Sequence, residues 1–99
     1  MNVLMIRAKL KAESIPDIEA ATEKMFAAIN AERPARVKYA STRLPDRASA
    51  VAFLALDDQA DNPLQAIPEF REFQEQLPDW LAEPPIVEPL TVIGSYELF

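Results

Sequence analysis

Residues Ala50 to Leu56 read AVAFLAL, a run without a single polar side chain. Successive side chains of a strand point to opposite faces, so Val51 and Phe53 fall on one face and Ala52 and Leu54 on the other. Both faces are apolar, which predicts an interior strand covered from both sides. Upstream, Val37 to Leu44 reads as a second strand, and Pro45, Asp46 and Arg47 supply turn chemistry between the two. The pair is expected to form a hairpin, and the rest of the chain has to cover it.

The opening segment, MNVLMIRAKLK, alternates in the same way. Leu4, Ile6, Ala8 and Leu10 share one face and Val3, Met5, Arg7 and Lys9 the other, which predicts a strand over Val3 to Lys11. A helix is expected next, in SIPDIEAATEKMFAAINAERP. Ser14 with Asp17 resembles a capping box, Pro16 suits a first turn, and Asp17 and Glu19 favour the positive helix end. Ile18, Ala21, Met25, Ala28 and Ile29 recur at helical spacing opposite Glu19, Glu23 and Asn30, until Pro34 ends the pattern.

After the hairpin, DDQADNPLQAIP reads as a polar loop punctuated by proline, without the ligand spacing of a calcium loop. PEFREFQEQLPDW, Pro68 to Trp80, is expected to be the second helix. AEPPIVEP then reads as an extended connection to a last strand over Leu90 to Phe99. The resulting order, β-α-β-β-α-β over residues 1–99, is a single α+β domain of ferredoxin-like plan: a four-stranded antiparallel sheet with two helices on one face. The helices cover one face of the sheet only. An apolar second face would favour aggregation, so a homodimer packed through the sheet face is expected.

Composition narrows the chemistry. A net charge of −6 and a pI near 4.5, with no basic cluster, argue against nucleic acid and anionic membrane partners. No apolar run reaches the length of a membrane span, and the basic residues of the N-terminus follow its apolar part, so a cytoplasmic location is expected. Cysteine and histidine are absent, which removes the thiolate nucleophile, the commonest metal ligand and the commonest general base. No cofactor and no metal is expected. A general base would have to be a carboxylate, a tyrosine, a lysine or the ionised substrate itself.

The β-α-β-β-α-β order, the strand VLMIRAKLK, the segment NPLQAIPEFREFQEQLPDWL and the terminal LTVIGSYELF, whose Gly94 interrupts a strand, resemble the dimeric α+β barrel superfamily, and within it the antibiotic biosynthesis monooxygenase-like group. The fold hosts several unrelated activities, so the resemblance bears on architecture first. It implies a cofactor-independent monooxygenase whose ionised polyphenolic substrate passes electrons to dioxygen, while the protein supplies shape, polar contacts and proton handling. It also implies roles for an Asn and a Trp, matched here by Asn62 and Trp80. The haem-degrading branch of the superfamily uses a histidine to ligate iron, which this chain lacks.

Five residues are candidates for binding a small aromatic ligand: Trp80, Asn62, Tyr39, Phe70 and Phe73. Phe70, Phe73, Leu77 and Trp80 are spaced 3, 4 and 3 residues apart, which is the spacing of a core stripe as well as of a pocket wall. Trp80, at the helix end beside Pro78, is the one best placed to line a pocket, with its N–H free to donate. Tyr39 and Tyr96 offer phenolic donors or simple sheet packing. Arg7 and Arg43 are expected on the dimer side of the sheet, to hold an anion or to pair with Glu97. Asp57, Asp58 and Asp61 form no recognisable acid/base dyad. The alternative to an enzyme is a non-catalytic dimeric module that binds a small molecule or serves as a structural partner.

Overall fold

The computed structural model describes residues 2–57 and 61–99. Its elements are β1 (Asn2–Lys9), α1 (Ile15–Glu32), β2 (Val37–Arg43), β3 (Ser49–Leu56), α2 (Pro68–Trp80) and β4 (Ile86–Leu90), with short 3-10 turns at Ala12–Ser14 and Pro63–Ala66. The strands lie in the order β2-β3-β1-β4 and every neighbouring pair is antiparallel. This is the ferredoxin-like plan, with the AVAFLAL strand inside the sheet.

Register fixes the faces. Leu4 lies opposite Leu54, Ile6 opposite Ala52 and Ala8 opposite Ala50, while Tyr39 and Ser41 lie opposite Leu54 and Ala52 from the other side. This face carries the helices: Met25 of α1 and Phe70 and Phe73 of α2 form one buried cluster with Leu54, against which Leu4, Ile6 and Tyr39 pack. The opposite face presents Val3, Met5 and Arg7 beside Ala55, Phe53 and Val51. A one-residue slip would exchange the two sets, so burial of the helix-side set holds the register.

Helix α1 begins differently from the capping-box expectation. Ser14 is buried and helical, and its side chain makes no capping hydrogen bond. The reason is the preceding 3-10 turn, in which the Ser14 N–H donates to the Lys11 carbonyl at 2.9 Å and the chain runs on into α1. The helix ends on Arg33, which adopts a left-handed conformation (φ 51°) and donates its N–H to the Ile29 carbonyl at 2.8 Å. The β2–β3 turn is held by Asp46, whose carboxylate accepts from the Ala48 and Ser49 N–H groups and the Ser49 hydroxyl. Those bonds, the Ala48 one foremost, hold its pKa below the ordinary carboxylate value.

Three sequence expectations change. The segment before α2 is more than a polar loop: its 3-10 turn buries Leu64, and Ile67 behind it joins the main core. The last strand is Ile86–Leu90 rather than Leu90–Phe99. Val3 opposite Leu90 and Arg7 opposite Ile86 fill the free edge of β1, and an edge strand tolerates Pro89, so Thr91–Phe99 cannot take that place beside β1. Arg43 points to the helix side, not the dimer side, because it shares the parity of Tyr39 and Ser41, and it pairs with Glu19 of α1. Arg7 does lie on the outer face, and its guanidinium pairs with Glu88 of β4 at 2.6 Å.

Candidate functional site

The helix-facing side of β3 is graded in size. Ala50 and Ala52 occupy its first half and Leu54 and Leu56 its second. Ala8 lies beside Ala50, and Ser41 beside Ala52, so the small residues cluster at one end of the sheet. At the Leu54 end the helices close down on a packed core. At the alanine end the side chains are too short to reach them, and a cleft opens between α1, α2 and the sheet.

The cleft has two neighbouring lobes, lined in common by Leu10, Ile18, Thr22, Ser41 and Ala50. The outer lobe, about 400 Å³, adds Ile15, Phe26 and, at its rim, Glu19, Glu23 and Arg43. The inner lobe, about 140 Å³, runs beneath the helices to Tyr39, Ala52, Phe70, Phe73, Gln74 and Leu77. Together they reach the size of small-molecule sites, which typically measure about 300–1,000 Å³ and combine apolar walls with a few polar groups.

The polar groups are few and differ in kind. Tyr39 stacks on Phe26 of α1 with ring centroids 5.2 Å apart and meets Phe70 of α2 edge-on at 5.8 Å. Burial raises its pKa above the ordinary tyrosine value, so at neutral pH it is a phenol that can donate a hydrogen bond but is a poor base. Thr22 and Ser41 add hydroxyls, and Gln74 adds an amide whose oxygen accepts from the Gln65 side chain at 3.0 Å. At the rim, the Arg43 guanidinium donates to the Glu19 carboxylate. Such a site can enclose a flat apolar molecule and donate hydrogen bonds to its oxygens. Among the described residues, no group of three or more Asp and Glu could hold a metal ion.

Of the five candidate residues, the structure brings three together. Tyr39, Phe70 and Phe73 line the inner lobe, and Phe70 and Phe73 are at the same time core residues of α2. Trp80 packs instead on Phe73, ring centroids 6.0 Å apart, and against the cluster of Leu10, Ile18 and Leu81, whose members line the cleft. Asn62 caps the 3-10 turn, its side-chain oxygen accepting from the Leu64 N–H at 3.0 Å. Neither is among the residues that line the cleft. Asp57 meets Arg36 at 4.0 Å on the surface, and Asp58 lies outside the described residues. Sequence reading passed over Thr22, Ser41 and Gln74. Thr22 lies four residues after Ile18 and four before Phe26, on the buried stripe of α1, and a hydroxyl at such a position is the signal that could have found it.

No protein-family model matches the sequence, and no curated protein matches it. Solved structures do match. A Nitrosomonas europaea protein named as a candidate antibiotic biosynthesis monooxygenase superimposes with a TM-score of 0.78 at 16% identity, over 95% of this chain and 100% of its own. A Mycobacterium tuberculosis protein gives a TM-score of 0.75 at 17% identity, over 95% and 96% of the two chains. A cofactor-independent oxygenase from Streptomyces nogalater gives 0.69 at 18% identity, over 97% and 96%. At these identities the likeness is one of fold, and it extends over nearly the whole chain. The architecture expected from the sequence is thereby borne out: the chain has the ferredoxin-like α+β fold of the antibiotic biosynthesis monooxygenase-like structures.

Proposed function

We propose that the cleft between the helices and the alanine end of the sheet binds a small aromatic or acidic organic molecule, and that the protein acts on it as a cofactor-independent monooxygenase-like enzyme. The observation that carries the reading is the cleft itself, apolar for most of its wall, with the neutral Tyr39 phenol at its inner end. The likeness in fold to the Streptomyces nogalater oxygenase supports the reaction class. In this reading the substrate arrives as, or becomes, an electron-rich anion that reduces dioxygen directly. Tyr39, Thr22 and Ser41 orient its oxygens, while Phe70 and Phe73 hold its ring and exclude water. Trp80 and Asn62 act at one remove, Trp80 by backing Phe73 and Asn62 by fixing the turn that places Leu64.

The test is oxygen uptake by chelator-treated protein with a panel of phenols, naphthols and hydroxybenzoates. The expected result is uptake that needs no added cofactor and is largely lost in Ala52→Leu, which fills the inner lobe. One observation favours the alternative of a non-catalytic binding module: Tyr39, the titratable group on the cleft floor, has its pKa moved away from neutrality. Binding to the cleft without any oxygen uptake would decide for that module.

We also propose a homodimer formed through the outer sheet face. Met5, Val51 and Phe53 are only partly covered there, and Ile86 of β4 is half exposed beside them. Its interface should exceed about 1,000 Å² of total buried surface. Light scattering at micromolar concentration should give twice the chain mass, and Phe53→Asp should reduce it to that of one chain.

A further inference from the structure

The mouth of the outer lobe holds all the charge that the cleft has. Among the described residues lining either lobe, the charged ones are Glu19 and Glu23 of α1 and Arg43 of β2. Every wall residue from β1, β3 and α2 is uncharged. Neighbouring cations are committed elsewhere: Lys24 turns to α2, where its Nζ meets Glu72 at 3.5 Å, and Lys11 donates to the Asp79 carbonyl at 3.0 Å.

Arg43 is thus the one cation in the cleft wall, and its guanidinium already donates to the Glu19 carboxylate. Glu23 lies one turn further along α1 and makes no hydrogen bond or ion pair with another described residue. Like charges four residues apart cost a helix stability rather than adding to it. Arg43 offsets one of the two carboxylates and leaves the other unbalanced at the entrance.

We infer that this mouth is a charge filter: Glu23, together with the Glu19 that holds Arg43, makes the cleft take uncharged aromatic ligands and turn away aromatic carboxylates. The inference rests on the cleft being the binding site proposed above. It narrows that reading from acidic molecules at large to weak acids that keep their proton at neutral pH. A carboxylate entering the outer lobe meets Glu23 as a like charge, and it reaches the guanidinium only by displacing Glu19. Deeper in, it meets apolar walls and the hydroxyls of Thr22, Ser41 and Tyr39, with no cation to offset its lost hydration. An uncharged phenol meets neither obstacle, and the same hydroxyls can bond its oxygen.

The probes are 2-naphthol and 2-naphthoate, which share a ring system and differ in charge at neutral pH. Each is titrated into wild type, Glu23→Gln, Arg43→Gln and the double variant Glu19→Gln, Glu23→Gln, and binding is read from the backbone amide shifts of Ala50 and Ala52 in the cleft wall. Wild type is expected to bind the naphthol about tenfold more tightly than the naphthoate at low ionic strength, and salt should shrink the difference because the carboxylates at the mouth are open to water. Glu23→Gln should reduce the ratio and Arg43→Gln should widen it. The double variant, in which Arg43 loses its partner, should bring the two ligands level or reverse their order. Naphthoate bound as tightly as naphthol by wild type, or a ratio unchanged in all of the variants, would overturn the filter and leave the cleft as the site. If wild type binds neither probe, the cleft reading falls and the filter with it.

Discussion

Phe73 occupies the middle of α2, where it helps close the core under the helices and walls the inner lobe of the cleft. The two roles separate by size of effect. Truncating a buried phenylalanine costs about 3–5 kcal/mol, so Phe73→Ala should lower the denaturant midpoint steeply before any ligand is considered. Trp80→Phe keeps a ring against Phe73 and should leave that midpoint nearly unchanged. Tyr39 offers a test with a definite sign. An acid whose folded pKa is raised above the ordinary value of 10.0 keeps its proton longer in the folded state than in the unfolded one. Its contribution is therefore fully present below pH 10 and is lost progressively as pH rises from that unfolded value through the higher folded one. Denaturation measured across the alkaline range should show wild type losing more stability than Tyr39→Phe. The size grading of β3 was readable in AVAFLAL as letters, but its meaning was not. That two alanines leave a space depends on Ala8 and Ser41 standing beside them, which only register reveals.

Elements were legible where periodicity was strong and lost where pairing decides. Both helices and the first three strands follow from apolar spacing, and α2 has the expected bounds. The last strand does not, because IVEPL and LTVIGSYELF are both credible strands and only competition for the β1 edge separates them. The nearer segment won it, and the farther one is left outside the sheet. The start of α1 failed for a local reason, a 3-10 turn that made Ser14 helical before it could cap. At the other end, Arg33 holds a left-handed conformation that costs a side-chain-bearing residue about 1–2 kcal/mol and that glycine adopts freely. Arg33→Gly should accordingly raise stability by about 0.5–1 kcal/mol, once the greater freedom of glycine in the unfolded chain is counted. Thermal denaturation monitored by circular dichroism would check it.

For the whole molecule, one sheet serves two surfaces. The helix side carries a core at one end and a cleft at the other, and the outer side presents the partly covered apolar residues Met5, Val51 and Phe53. The sequence made the need for a covered outer face visible through a strand apolar on both sides. It could not show where the cleft lies, since that depends on how far α1 stands from the alanine end. The central claim is that this cleft is the binding site. It is tested most directly by titrating isotope-labelled, chelator-treated protein with naphthols and hydroxybenzoates while following backbone amide resonances. The account predicts saturable shifts centred on Thr22, Ser41, Ala50, Ala52 and Phe73. Shifts confined to the outer face around Lys38, Ala40 and Phe53, or no saturable shift with any member of the panel, would contradict it.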